Sequence, residues 1–474
     1  GTPLTSARTL LEGDTTDVSV DVGSFRTEGR TWGIVSRSPH FFERMTWVIQ
    51  GDSLAKLDLP LDAEADVVGD RLVVYLRSPW KVDGQEYDPG SLIATSRDGF
   101  LAGGRDFQLI LKPGPRQTIE GMRTTQHYLL VSMLDEVRPK LLRYRYADGA
   151  WKADTIPVPD FGSARVVATS SQSDRFFLSF SGFTQPSTLY LADADGSLKE
   201  IKRLPAQFDA SGLVTEQHEA TSKDGTKIPY FIVHRKGMQH DGTNPTLQYG
   251  YGGFEISLTP SYNPLMGVNW LARGGVYVLA NIRGGGEFGP SWHRAAMKEH
   301  RQLAYDDFIA VAEDLIQRKI TSPAHLGIMG GSNGGLLMGV MLTERPDLWS
   351  GVVILNPLLD MKRYSHLLAG ASWMAEYGNP DIPADWAYIS KYSPYQNIKR
   401  GVKYPTPFIY TDTRDDRVHP GHARKFAAKL EADGHKALFF ENTEGGHGGG
   451  VTPAQRAEQQ ALIYTYLWSR LGGQ

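Results

Sequence analysis

The chain contains no cysteine. Disulfides, thiol nucleophiles and cysteine-based metal sites are therefore excluded. It has no apolar run approaching the roughly 18–20 residues that a membrane-crossing helix needs. Its first residues, GTPLTSARTLL, have neither the basic start nor the apolar stretch of a secretory signal. They do not begin with Met either, so the chain reads as processed or as a fragment, with any original signal out of sight. A large charge of one sign is also missing: the net charge is −3, which argues against nucleic acid or an anionic membrane as partner. These features fit the cytoplasm first and the periplasm second.

What is there is an ordinary globular composition, with 41% hydrophobic and 22% charged residues. At about 100–200 residues per domain, 474 residues suffice for two or three domains. The two halves read differently. Up to residue 207, short alternating runs are broken by turn residues. DRLVVYLRSPW with GSLIATSRDG, QHYLLVSMLDEV with KLLRYRYADGAW, and DRFFLSFSGF with STLYLADADGSLKEI form three similar units. A less regular unit (TDVSVDV, TWGIVSRS, RMTWVIQ) precedes them. A period of about 40–50 residues suits one four-stranded propeller blade, giving about four blades over 1–207. An irregular β-sandwich is the alternative.

From residue 208 onward strands alternate with helices. TLQYGYG, VYVLANI, LGIMGG, GVVILN, PFIYTDT and ALFFEN are apolar runs of strand length. Helical patterns are expected over 302–318, 333–344, 422–434 and 455–471. Such alternation predicts a doubly wound, mostly parallel sheet covered on both faces.

GIMGGSNGGLLMG, residues 327–339, sets Gly-x-Ser-x-Gly at a strand-to-helix junction. That is the pattern of a nucleophile elbow, in which a sharp turn exposes a serine and glycines keep side chains out of the way. The helix start supplies unsatisfied N–H groups, so the Asn333 N–H is placed to bind an oxyanion. A serine hydroxyl needs a base, and in this fold the order is Ser, then Asp or Glu, then His. DDRVHP offers Asp415 or Asp416 just past one strand, and GGHGGG offers His447 past another. His419, His422 and His435 fall in or beside a helix and read as surface or helix-start residues. Asp306 and Asp307 read as a solvated helix face, and NIRGGGEFG lacks the spacing and Lys-Ser/Thr of a phosphate loop.

YGYGGF, NIRGGGEFG, GGSNGG, SWMAEYG, KYSPYQN, DDRVHP and GGHGGG occur in the order found in the prolyl oligopeptidase family, and together they resemble it across the second half of the chain. The resemblance implies an α/β-hydrolase catalytic domain, 208–474, joined to an all-β propeller domain. It implies Ser332, Asp415 and His447 as the triad, which chooses Asp415 over Asp416. Tyr251 is then the second oxyanion donor beside Asn333. Arg417 resembles the arginine that binds a substrate carbonyl, with an ion pair to Asp416 as the alternative. Trp373 resembles the tryptophan that stacks on the substrate proline, and Phe254, Tyr377, Val418 and Leu358 resemble other pocket walls. Glu376, if it pointed inward, would instead admit a basic residue, as in the oligopeptidase B branch. Family members have an N-terminal hydrolase segment and seven blades. The ring here is therefore expected to be incomplete, its missing part removed or carried on a separate segment of the same protein; a closed four-bladed ring is the alternative.

The function expected is a serine endopeptidase that cuts short peptides after proline, with no metal or organic cofactor. A related peptidase with basic or aminoacyl preference, an esterase on the same fold and a non-catalytic scaffold are the other readings.

Overall fold

The computed structural model describes residues 3–472; the first two and last two residues, the outer ends of the expected domains, lie outside the described residues. The first half forms four separate four-stranded antiparallel sheets. The first comprises Ser19–Thr27, Arg30–His40, Glu43–Gln50 and Ser53–Lys56. The second, Glu64–Val68, Arg71–Tyr75, Leu92–Ser96 and Gln108–Leu111, extrudes a small hairpin, Trp80–Val82 with Gln85–Tyr87. The third spans Gln117–Thr124 to Ala150–Ile156, and the fourth Gly162–Ser170 to Leu198–Arg203.

The blades stack through the alternate faces of their inner strands. Val73 and Leu92 of the second meet Leu129 and Val131 of the third in one buried cluster. Leu130 and Leu141 of the third meet Phe176 and Leu178 of the fourth in another. The first blade presents an edge strand, Ser19–Thr27, to solvent, with Val22 79% exposed and Val20 48%.

The second half is built on one eight-stranded sheet. Its strands are β1 (Leu213–Thr221), β2 (Lys227–Arg235), β3 (Thr246–Tyr249), β4 (Val276–Ala280), β5 (Leu326–Gly331), β6 (Gly351–Leu355), β7 (Phe408–Asp412) and β8 (Leu438–Asn442). Their spatial order is β1-β2-β4-β3-β5-β6-β7-β8. The β1–β2 and β2–β4 pairs are antiparallel and the remainder are parallel. Successive residues serve opposite faces, as strand geometry requires. Tyr230, Ile232, Val352 and Ile354 pack against helices α1 (Gln302–Gln317), α2 (Asn333–Glu344) and α3 (Gly421–Ala432). Phe231, Val233 and Val353 pack against helix α4 (Pro453–Leu471) and the short helix Pro264–Asn269. Phe183 and Leu134 of the blades join this second core, so the two halves share buried apolar surface.

Three expectations need correction. The hairpin β1–β2 is absent from the expected strand set: the antiparallel edge strand β1 carries mostly polar residues and shows no apolar run, whereas β2 does carry one, IPYFIV, and the expected set leaves it out. Asp307 does not lie on a solvated face: it is fully buried, and its carboxylate accepts from Ser222 Oγ at 2.6 Å and from Arg283 Nε at 2.8 Å and Nη2 at 2.6 Å. Only Asp306 is partly exposed. His422 does begin α3, but it is buried, and its Nδ1 accepts from the N–H groups of Leu359 and Asp360. Burial depresses it to about 4, so it is neutral at physiological pH.

Arg283 in the NIRGGGEFG loop pins that loop to β1–β2 and α1, since it also pairs with Asp224 at 2.6 Å. Replacing one partner of a buried pair leaves the other charge uncompensated. Arg283→Ala is therefore expected to cost about 3–5 kcal/mol, read as an earlier denaturant midpoint for the catalytic half. The double change Arg283→Met with Asp307→Leu should recover most of the loss.

Candidate active site

Ser332 sits between β5 and α2 with φ 58° and ψ −119°, a conformation that a non-glycine residue adopts only under constraint. The surrounding glycines make it attainable. A Cβ on Gly330 would lie 2.5 Å from the Gly334 carbonyl oxygen, and one on Gly335 would lie 2.8 Å from that of Leu355. The Ser332 N–H donates to the Leu355 carbonyl at 2.9 Å, which ties the turn to β6.

The parallel strands deliver their carboxyl ends to the same edge. Asp415 follows β7 and His447 follows β8. His447 Nε2 lies 3.1 Å from Ser332 Oγ, and its Nδ1 lies 2.7 Å from Asp415 Oδ2. Asp415 is buried, and its other oxygen accepts from the N–H groups of Arg417 at 2.9 Å and Val418 at 2.8 Å. Burial pushes the Asp415 carboxyl up, but hydrogen bonds from His447, Asn356 and those two N–H groups outweigh it and hold it below the usual range. Asp416 is exposed, and the carboxylate that pairs with His447 is that of Asp415. Asn356 was not anticipated. It stands directly after β6 and its amide bridges Asp412 and Asp415, at 3.0 Å from each.

The Asn333 N–H is the first of α2 and has no partner within the helix. Its side chain is buried and fixed on three sides: Nδ2 donates to the Tyr251 carbonyl, while Oδ1 accepts from Arg301 Nη2 and from the Tyr377 hydroxyl, each at 2.6 Å. Gly253 has no side chain because a Cβ there would come within 2.6 Å of Asn333 Nδ2. Burial raises the Tyr251 phenol, against a hydrogen bond to Ser332 that lowers it. Its hydroxyl therefore remains a donor at neutral pH beside the nucleophile position.

A cavity of about 50 Å³ opens beside Ser332, walled by Trp373, Phe254, Tyr377, Leu358 and Arg417. Phe254 meets Tyr377 edge to face at 5.7 Å. Val418 does not line it: with its N–H held by Asp415, its side chain joins the core beneath. The Arg417 guanidinium pairs with no carboxylate among the described residues, Asp416 included. Phe41 and Ile256 complete the lining. Phe41 comes from the first propeller blade, and no local motif distinguishes it in the sequence.

Glu376 is fully buried but does not face this cavity. Its Oε1 accepts from Arg301 Nη1 at 2.9 Å and from the Phe254 N–H at 3.1 Å, and its Oε2 lies 2.7 Å from His293 Nε2. Burial raises this carboxyl, yet His293 and Arg301 reverse the shift and hold it low. No uncommitted negative charge remains to meet a basic side chain.

Residues 263–474 match the model of the prolyl oligopeptidase family, and residues 104–204 match that of the prolyl oligopeptidase N-terminal β-propeller domain. An uncharacterized peptidase of Sinorhizobium fredii is 46% identical over 88% of this chain and 58% of its own length. A prolyl endopeptidase of Elizabethkingia miricola is 37% identical over 67% of this chain and 46% of its own length. The chain thus spans under two thirds of the length of these curated relatives. The structure of a post-proline cleaving enzyme from Rickettsia typhi superposes with a TM-score of 0.94 at 34% identity, covering 99% of this chain and 70% of that one. With its elbow serine at the carboxyl edge of an eight-stranded sheet and its blades beside it, the chain belongs to the prolyl oligopeptidase family.

Proposed function

We propose that the chain is the catalytic part of a serine peptidase that hydrolyses short peptides on the carboxyl side of proline. The observation that carries the proline preference is the commitment of Glu376 to Arg301 and His293, which leaves an aromatic slot with no carboxylate next to Ser332. A pyrrolidine ring loses little by entering such a slot, whereas a lysine or arginine would give up its hydration with nothing in return. The relatives called prolyl endopeptidase and post-proline cleaving enzyme support the same reading.

In this mechanism His447 Nε2 takes the proton of Ser332 Oγ as the oxygen attacks the scissile carbonyl, and Asp415 stabilises the resulting imidazolium. The Asn333 N–H and the Tyr251 hydroxyl hold the oxyanion. His447 passes its proton to the departing amine, leaving an acyl ester on Ser332. It then deprotonates water, which releases the peptide acid and restores the serine. Arg417, unpaired at the cavity rim, donates to a substrate backbone carbonyl. The solvent-facing Val20 and Val22 support a further segment of the same protein packing on the first blade.

Ser332→Ala should lower kcat/KM by about 10⁴-fold or more, and Tyr251→Phe should lower kcat by about 10²-fold, both measured with a fluorogenic Gly-Pro substrate. Replacing Pro by Arg before the scissile bond should nearly abolish cleavage by the wild type; faster cleavage after Arg would overturn the proline assignment.

Asp415 yields a pH prediction. Its pKa in the folded chain is depressed, so its stabilising contribution is complete above the ordinary carboxylate value of about 3.9 and is lost as pH falls through the lower folded value. The stability gap between wild type and Asp415→Asn should therefore be constant near neutrality and shrink below about pH 4, as read by denaturant unfolding at a series of pH values.

A further inference from the structure

The residues that fix Asn333 continue outward as an unbroken line of polar contacts to the propeller. Arg301 Nη2 reaches Asn333 Oδ1 at 2.6 Å, and Arg301 Nη1 reaches Glu376 at 2.9 Å. Glu376 Oε2 meets His293 Nε2 at 2.7 Å. The other ring nitrogen, His293 Nδ1, lies 3.5 Å from Glu255 Oε2. Glu255 pairs with Arg77, which follows the second strand of the second blade. Side chains along this line are nearly inaccessible at its inner end, 0–3% for Glu376, Arg301 and His293, and only 14–16% exposed at Glu255 and Arg77.

A second, independent observation concerns the backbone. Phe254 and Glu255 are consecutive non-glycine residues in the left-handed region, with φ 58° and 56°. Such a pair is costly and persists only when its surroundings impose it. The Phe254 N–H is held by Glu376, the Glu255 N–H by the Gly284 carbonyl, and the Glu255 side chain by Arg77. The strained pair aims Phe254 at the substrate cavity and Glu255 at the propeller. It also terminates the Tyr251–Gly253 segment, which supplies the second oxyanion donor and the carbonyl that orients Asn333. From the propeller side, Phe41 packs edge to face on Phe254 at 5.3 Å, and Phe42 packs on His293 at 5.1 Å beneath the Arg77 guanidinium.

We propose that Arg77 is a positioning residue for the oxyanion site: docked on Glu255, it holds the Tyr251–Glu255 turn and, through His293, Glu376 and Arg301, the Asn333 end of α2. Without it, Glu255 keeps only His293 for company and can swing to water, which releases the strained turn. The oxyanion donors are then complete only while the propeller is docked against the catalytic half. This inference rests on the catalytic roles proposed above for Tyr251 and Asn333.

The test compares Arg77→Ala, Arg77→Lys and Arg116→Ala in the full chain. Arg116 is the control, because it makes another propeller-to-catalytic ion pair, with Glu219, outside the line to Asn333. Hydrogen–deuterium exchange without substrate should accelerate at 251–256 and 331–338 in Arg77→Ala, stay at the wild-type level there in Arg116→Ala, and return toward wild type in Arg77→Lys. With the Gly-Pro substrate, Arg77→Ala should lower kcat about tenfold, within the range for residues that couple sites, and leave KM within about twofold. Acceleration confined to the second blade, equal acceleration in Arg116→Ala, or a change in KM alone would overturn the proposal. A wild type that cleaves no proline peptide would refute the assigned activity, while the exchange measurements would still decide whether Arg77 holds the turn.

Discussion

Holding Ser332 at a positive φ requires β5, β6, α2 and the loop after β3 to converge on one turn with no side chains between them. Gly330, Gly334 and Gly335 meet that demand, each lying where a Cβ would strike backbone. The convergence also brings the rest of the site into place. The turn points Ser332 Oγ toward the loop after β8, where His447 waits, and starts α2 so that the Asn333 N–H faces the same space. A serine displaced into ordinary backbone geometry would lose its contact with His447 Nε2 and its place beside the Asn333 N–H.

Around this turn the protein buries several titratable groups. Arg301, Glu376, His293, Asp415, Arg283 and Asp307 are all inaccessible or nearly so. None is left alone. Each carboxylate accepts from an arginine, a histidine or backbone N–H groups, which is the condition for tolerating charge in a low dielectric. The arrangement divides labour. Arg283 and Asp307 anchor a loop to the sheet, Asp415 orients the imidazole, and Arg301 with Glu376 fixes the Asn333 side chain. Because Glu376 is consumed internally, the neighbouring cavity, lined by aromatic and aliphatic groups beside Ser332 and Asn333, holds one cation, Arg417, and no carboxylate. Internal pairing thus keeps the Glu376 carboxylate out of the cavity beside Ser332.

Chemistry-bearing residues were legible where a local pattern marked them. Gly-x-Ser-x-Gly between a strand and a helix identified the elbow, because the backbone geometry it needs is written in adjacent residues. His447 stood out among glycines. The blades were visible through their period, and helices α1 to α4 through their apolar spacing. Asp415 was separable from Asp416 only by family resemblance, since both follow the same strand; which of them points inward depends on the turn taken by the Arg417 and Val418 N–H groups. Asp307 was misread as a surface residue because an isolated helix pattern cannot reveal that Arg283, distant in sequence, lies opposite it.

The sequence by itself determined strands β3 to β8, helices α1 to α4, the sharp bend at Ser332 and the set of residues able to act as nucleophile and base, because these depend on local sterics and periodicity. Tertiary structure alone decided which carboxylates are neutralised, that Val418 turns into the core, and that Phe41 and Arg77 of the propeller reach the catalytic half. Those outcomes depend on the distances between groups far apart in the chain, and a charge or an aromatic ring carries no local mark of the partner that folding will bring to it.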